Sequence, residues 1–433
     1  MINQNQNQND KIDETLTGDE RLRLIGIKRL YPVAPKNSSL PTEIDDAVIC
    51  ITNEKITWLG SKKEAPPLTN DEKIIDLNNA IVTPGWIDPH THLIWAGSRQ
   101  NEFRQRLEGK SYLDITKAGG GIMSTVRAVR ASSLDKLIEL ARPRIQRFLS
   151  FGITTAEVKS GYGLQTNAEI RMLEAIQKLN ETEPIELIPT FLGAHTIPTE
   201  HKEKREHYIN EICEQMLPQV AERQLAEYCD IFIEQSAFTL EEARYILIKA
   251  IGFGLTPRIH ADQLSAGGGA ELAAELGAAS ADHLEEIGDA DIQAMLDANV
   301  VACLIPGSTF SLRQQQYAPA RKMLDAGLTI TLATDLNPGT TCSENLALTG
   351  TLAALHMGMT PNEILHAVTR GAAISLNREK RIGSIAKGYQ ADITVFNAPD
   401  IDYIFYHYGV SHVQRVFKKG KIIWYNSNTT PKE

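Results

Sequence analysis

Short apolar runs, many closing on a polar or ionisable residue, alternate with longer amphipathic runs through the middle of this chain. Gly152–Val158 precedes a helical pattern over 167–179, and Glu186–Leu192 precedes one over 200–216. Cys229–Glu234 is followed by 239–251, Thr256–His260 by 270–276, and Ala279–His283 by 289–298. Val300–Ile305 is followed by 318–326, and Thr329–Asp335 by 344–356. Strand-length runs followed by helix-length runs read as βα units. With the opening strand from Ile81 to His92 there are eight, which predicts an α/β fold, a closed parallel (β/α)8 TIM barrel over 83–378.

Both ends of the chain look different. Arg23–Lys28, Ala47–Thr52, Lys55–Gly60 and Lys73–Leu77 are short strand-like runs between Asn, Pro and Gly, and Ala391–Phe396, Val413–Lys418 and Lys421–Tyr425 repeat the pattern. These predict one small β-sandwich domain built from 21–82 and 379–433, with 1–20 as a disordered tail.

The ionisable residues sharpen the picture. His90, His92, Lys159, Tyr162, His195, His260, His283 and Asp335 fall at or just past the C-terminal ends of the predicted barrel strands, where a barrel carries its catalytic groups. Residues i and i+2 of an extended chain share a face, so His90 and His92 project together. With His260 and Asp335 they offer three imidazoles and a carboxylate, a set that suits one zinc ion, or iron. Such an ion brings the pKa of bound water toward ~7 and supplies hydroxide at neutral pH. Asp335 then accepts the water's proton and passes it to a leaving nitrogen. His283 is the candidate to hold an oxyanion or to orient the water. Strand four contains no lysine to bridge a second metal, which argues for one ion; Glu234 is a candidate helper and Lys159 a supporting cation.

Composition narrows the function classes. The 433 residues are 42% hydrophobic and 23% charged, with net charge −10, which argues against a nucleic-acid partner. An anionic small substrate remains open, because it feels the local pocket. The five cysteines form no CxxC pair, so each reads as a small buried residue. Met1 to Asp10 has no apolar run and no stretch reaches the length of a membrane span, so the expectation is a cytoplasmic protein.

The motif Pro84-Gly-Trp-Ile-Asp-Pro-His90-Thr-His92 resembles the entry motif of the amidohydrolase superfamily. Longer strings around Arg99, Gly119, Tyr162, His195, His260 and Asp335 resemble one branch of it, from about Leu22 to Ile423. That resemblance implies hydrolysis of 4-imidazolone-5-propanoate to N-formimidoyl-L-glutamate in histidine breakdown, one Zn2+ or Fe3+ per subunit, and a homodimer. It also implies that Arg99, Tyr162, His195, Gln263, Asn337, Gly339 and Thr340 line the pocket. Arg99 and Tyr162 suit a carboxylate, and His195 a donor to the ring carbonyl. Gln263 suits the ring amide, and Asn337 with the Gly339 backbone the new carboxylate. Some family members carry Glu where this chain has Gln263, which leaves base catalysis to Asp335. The rivals are a ring deaminase, which would not need Arg99 and Tyr162, and a non-enzymatic scaffold, which would be free to lose ligands. Gly119-Gly-Gly lacks the Gly-Lys-Ser/Thr of a phosphate loop and reads as a flexible loop over the mouth of the site; Gly267-Gly-Gly is equally weak as a phosphate signal.

Overall fold

The computed structural model describes residues 21–36, 38–110 and 119–427; the expected tail lies outside them. The strands, in chain order, are β1 (Arg21–Leu30), β2 (Ile44–Thr52), β3 (Lys55–Ser61), β4 (Glu72–Pro84) and β5 (Trp86–Asp88). They continue with β6 (Ile153–Lys159), β7 (Glu186–Ala194), β8 (Tyr228–Phe232), β9 (Thr256–Ala261) and β10 (Ser280–His283). The last are β11 (Val301–Leu304), β12 (Ile330–Leu332), β13 (Ile393–Phe396), β14 (Val413–Lys418) and β15 (Lys421–Tyr425).

Both chain ends share one sheet in the order β15-β14-β13-β4-β1-β2-β3. Alternation fixes its inner face: Leu22, Leu24, Ile49, Ile51, Val82, Ile393, Val395 and Phe417 belong to one apolar cluster. The expected sandwich is thus one continuous hydrogen-bonded sheet gathered around its own core. Asn53 and Glu54, both with positive φ (49° and 67°), close the β2–β3 hairpin.

Gly85 alone separates β4 from β5. Its N–H donates to the Asp392 carbonyl at 2.8 Å, and an added Cβ would lie 2.4 Å from Thr154 Oγ1, so only glycine passes between the two bodies. Trp86, next along, is fully buried with its ring 5.2 Å from Phe396 and 6.1 Å from Phe405. The barrel also meets the sheet through Glu186, which receives Lys418 at 3.1 Å.

From β5 to β12 the strands pair in sequence order, all parallel, as the eight predicted runs require. The seam closes just past the strand ends. Asp335 N–H donates to the His90 carbonyl at 3.1 Å, and His92 N–H to the Leu336 carbonyl at 3.0 Å. The Asp88 carboxylate accepts the Thr334 N–H at 3.1 Å and its hydroxyl at 2.5 Å.

Among the described residues between β5 and β6 are the helices Gln100–Leu107, Ile122–Arg130 and Leu134–Ser150, which the apolar pattern did not reveal. In the last, Leu137, Ala141, Ile145, Phe148 and Leu149 form a buried stripe, but Pro143 sits on the outer side and breaks the pattern as read from sequence. The helix expected over 200–216 starts at Arg205 and passes through a π-helical turn, Ile212–Met216, into Leu217–Glu222. Cys50, Cys213, Cys229 and Cys303 are buried as expected; Cys342 is exposed, because it follows the turn after Asp335 rather than lying in a strand.

Candidate metal centre

Four histidines and an aspartate converge at the C-terminal mouth of the barrel. Ligand atoms of His90, His92 and Asp335 lie within 4.8 Å of one another, as do those of His90, His260 and His283. Asp335 Oδ1 is 3.7 Å from His90 Nε2 and 3.5 Å from His92 Nε2. Two of the rings are aimed from behind. His90 Nδ1 donates to Asp282 at 2.6 Å and His260 Nδ1 to Asp230 at 3.1 Å, which leaves both Nε2 lone pairs facing the centre. Those two Nε2 atoms and His283 Nδ1 are buried without a hydrogen-bond partner. Buried orphan acceptors on convergent rings are what a bound cation satisfies, so the donor set fits a metal. Cys303 forms a third such group of ligand atoms with Asp282 and His90, and burial holds its thiol well above its usual range.

Burial sets the charge states. It pushes His90, His92 and His283 well below the usual imidazole range, helped at His90 by Lys159 and at His92 by His195. The rings are therefore neutral, the form a metal needs. Burial also raises the Asp335 carboxyl to about 7.

Beneath the histidines lies a buried ionic network. The Lys159 ammonium is 2.8 Å from Glu157, 2.7 Å from Asp230 and 3.8 Å from Asp282. Glu157 in turn accepts the Thr91 N–H at 3.2 Å, between the two opening histidines. Arg258 adds a second cation, 3.5 Å from Asp282, and donates to the Pro89 carbonyl at 2.9 Å. Although burial opposes it, His260 and Lys159 hold the Asp230 carboxyl well below its usual range. Sequence reading placed Lys159 at the site but gave no role to Glu157, Asp230 or Asp282. Their signal was acidic residues inside otherwise apolar barrel strands.

The expected substrate residues surround this centre. His92 stacks on His195 with centroids 5.0 Å apart, and Tyr162 lies 5.6 Å from His92 and 5.4 Å from His195. Two anchors hold the Tyr162 loop. The Glu169 carboxylate accepts the N–H groups of Gly161, Gly163 and Leu164 at 2.7–2.8 Å, while Arg130 donates to the Gly163 and Leu164 carbonyls at 2.7 and 2.8 Å. Gln263 Nε2 donates to Ser308 Oγ at 3.3 Å. Arg99 packs on Gly339, where an added Cβ would lie 2.2 Å from its Nη1, and its Nε donates to Glu102 at 2.9 Å.

Two expectations change. His195 Nδ1 lies 2.9 Å from the Gly161 carbonyl, which can only accept, and burial takes the ring to about 3. The neutral ring thus offers Nε2 as an acceptor, not the expected donor to a carbonyl. Asn337 is consumed by its own turn: Nδ2 donates to the Asp335 carbonyl and to Thr340 Oγ1, both at 2.7 Å, and Oδ1 accepts the N–H groups of Gly339 and Thr340 at 2.7 and 2.8 Å. Neither its amide nor the Gly339 N–H remains for a product carboxylate; Thr340 instead donates to Asp335 Oδ2 at 3.4 Å. Glu234 accepts from Ser265 at 2.7 Å and from the Gln235 N–H at 3.0 Å through Oε1 alone, while its Oε2 is buried without a hydrogen-bond partner. The glycines of 267–269 bind no phosphate-like space, since the Asp262 carboxylate takes the Gly267 and Ala270 N–H groups at 2.7 and 2.9 Å. Glu285, not singled out from sequence, is buried two residues past His283, accepts from Thr309 at 2.7 Å, and is pushed by burial to about 7.

A barrel with this mouth and an appended sheet defines a class: the chain belongs to the amidohydrolase family, whose profile matches residues 81–423. Its fold is shared by an adenosine deaminase from Xanthomonas campestris with bound zinc (15% identity, TM-score 0.68, covering 94% of this chain and 92% of that one). It is also shared by a triazine hydrolase from an Arthrobacter aurescens source (18% identity, TM-score 0.69, 93% and 94%). Within the family the chain groups with the imidazolonepropionases. It is 46% identical to that of Alkaliphilus metalliredigens over 382 residues (88% of this chain, 90% of the relative). It is 47% identical to that of Myxococcus xanthus over 378 residues (87% and 90%), and 45% to that of Thermoanaerobacter pseudethanolicus over 403 (92% and 96%).

Proposed function

We propose that this chain hydrolyses the ring C–N bond of 4-imidazolone-5-propanoate to give N-formimidoyl-L-glutamate in histidine degradation. The observation that carries the reading is the juxtaposition of the His90/His92/His260/Asp335 donor set with an arginine, Arg99, seated on Gly339 in the same loop as Asp335. The family relatives at 45–47% identity support the same substrate.

His90, His92, His260 and Asp335 would hold one Zn2+ or Fe3+, which when bound supplies Lewis acidity and a hydroxide nucleophile at neutral pH. The remaining work falls to side chains. Arg99 and Tyr162 bind the propionate; burial keeps the Tyr162 phenol protonated and so a donor. Gln263 has its Nε2 committed to Ser308 and presents Oε1 to a ring N–H. His195 accepts a second proton-bearing group at Nε2. Water adds to the ring carbonyl carbon, His283 stabilises the oxyanion, and Asp335 takes the water's proton and delivers it to the departing ring nitrogen. The C–N bond breaks and the carbonyl carbon becomes a carboxylate. Among the described residues no helix is long and apolar enough to cross a membrane. A cytoplasmic homodimer is the setting we infer.

The test is the ultraviolet decay of 4-imidazolone-5-propanoate with and without a chelator. Chelator-sensitive loss with formimidoylglutamate as product is expected. Metal-replete protein that leaves the substrate intact overturns the assignment.

A further inference from the structure

The helix Gln100–Leu107 carries more positive charge toward the site than Arg99 alone. Arg99 caps its start, and Glu102 and Arg106 follow three and seven residues later, on one helical face. The two arginines turn toward the same neighbour. Arg99 Nη1 sits where a Gly339 Cβ would be, and Arg106 Nη2 donates to the Gly339 carbonyl at 3.4 Å. Glu102 is the carboxylate between them, and it is committed: Oε2 takes Arg99 Nε at 2.9 Å and Oε1 takes the Gly121 N–H at 3.0 Å. Among the described residues Arg106 has no carboxylate partner, and the terminal nitrogens of Arg99 have no acceptor. Two guanidiniums thus flank one glycine with a single negative charge between them, on a chain whose net charge is −10. A local positive excess held against the overall charge marks an anion site. Glu102 fixes Arg99 by its Nε edge and leaves the Nη pair for a planar bidentate acceptor.

We infer that Arg106 is a second substrate-binding residue, forming with Arg99 a two-arginine clamp for the carboxylate tail of the substrate. This rests on the proposed substrate for the identity of the anion. A side chain at Gly339 would meet the Arg99 guanidinium, while Arg106 reaches the carbonyl of the same residue.

The experiment compares binding of imidazole-4-propanoate and of 4-ethylimidazole, its uncharged counterpart, to metal-loaded wild type, Arg106→Gln and Arg106→Lys by calorimetry, alongside KM and kcat. Metal content and melting temperature accompany each. Wild type is expected to prefer the carboxylate. Arg106→Gln should reduce that preference about tenfold, raising KM by a similar factor with kcat and metal content little changed, since a charge-assisted contact is lost. Arg106→Lys should fall between, and it serves as the measured variant if the glutamine form unfolds. An unchanged carboxylate preference in a folded variant, or no preference in wild type, overturns the clamp. Retained carboxylate preference without turnover of 4-imidazolone-5-propanoate overturns the substrate assignment and leaves the clamp standing.

Discussion

The Lys159 ammonium lies 2.7 Å from the Asp230 carboxylate, whose other oxygen is 3.1 Å from Nδ1 of His260. The same ammonium touches Glu157, which holds the Thr91 amide, and approaches Asp282, which holds His90. One cation therefore stands behind three carboxylates that brace the candidate metal donors. Lys159→Met should leave acidic groups buried without compensation and loosen all three. Groups supporting metal ligands typically change affinity ~10–100-fold. The expected outcome is that loss in a chelator competition, accompanied by a lowered melting temperature; unaltered metal affinity would show that the network is structural only.

Gly339 tests the pocket from the other side. Gly339→Ala places a methyl 2.2 Å from Arg99 Nη1, the far end of a flexible side chain, so the fold should stand while Arg99 shifts. KM should rise about tenfold, the loss of one good charged contact, with little change in melting temperature. Steady-state kinetics with a parallel melting curve decide it.

Glu169 gives a third expectation. Its carboxylate receives three N–H groups from the loop that carries Tyr162 and offers the Gly161 carbonyl to His195. Glu169→Gln turns an amide N–H2 toward backbone donors and should cost about 1–3 kcal/mol of stability, as an unsatisfied buried group does. KM should rise while metal content holds. Equal substrate affinity in the variant would separate the loop's anchoring from Tyr162's placement.

Acid should loosen the join between barrel and sheet. Against the upward push of burial, Lys418 and Arg381 hold the Glu186 carboxyl at about 2, below its ordinary 4.5. A depressed folded value stabilises fully above 4.5 and is lost as pH falls through 2. The gain is at most on the order of 3 kcal/mol. Glu186→Gln should therefore be less stable than wild type at pH 7, with the gap closing between pH 4.5 and 2. Denaturant titrations at both ends of that range measure it; a constant gap would rule out the ion pairs as its source.

Eight barrel strands were legible because each is a short apolar run before a helix-length one, and most end on an ionisable group, as Val158-Lys159 and Ile259-His260 do. The candidate donors His90, His92, His260 and Asp335, which the fold brings to one mouth, could be singled out for the same reason. Their supports could not. Asp282 meets His90 across 192 residues, and Lys159 meets Asp230 from another strand, contacts that no local pattern encodes. Spacing also hides how polar atoms are spent. Asn337 and His195 have the chemistry expected of binding groups, yet the Asn337 turn and the Gly161 carbonyl decide which atoms stay free.

The barrel seam has a consequence for how the protein is made. Asp88 and Thr334 meet across 246 residues, and the donors beside them, His90, His92 and Asp335, are paired by the backbone across that same join. During synthesis the first two histidines emerge long before their aspartate, and joining ends so far apart is slow and entropically costly. Complete coordination by this set would therefore belong to the finished barrel, and an ion held across the join would act as a clasp on its earliest and latest strands.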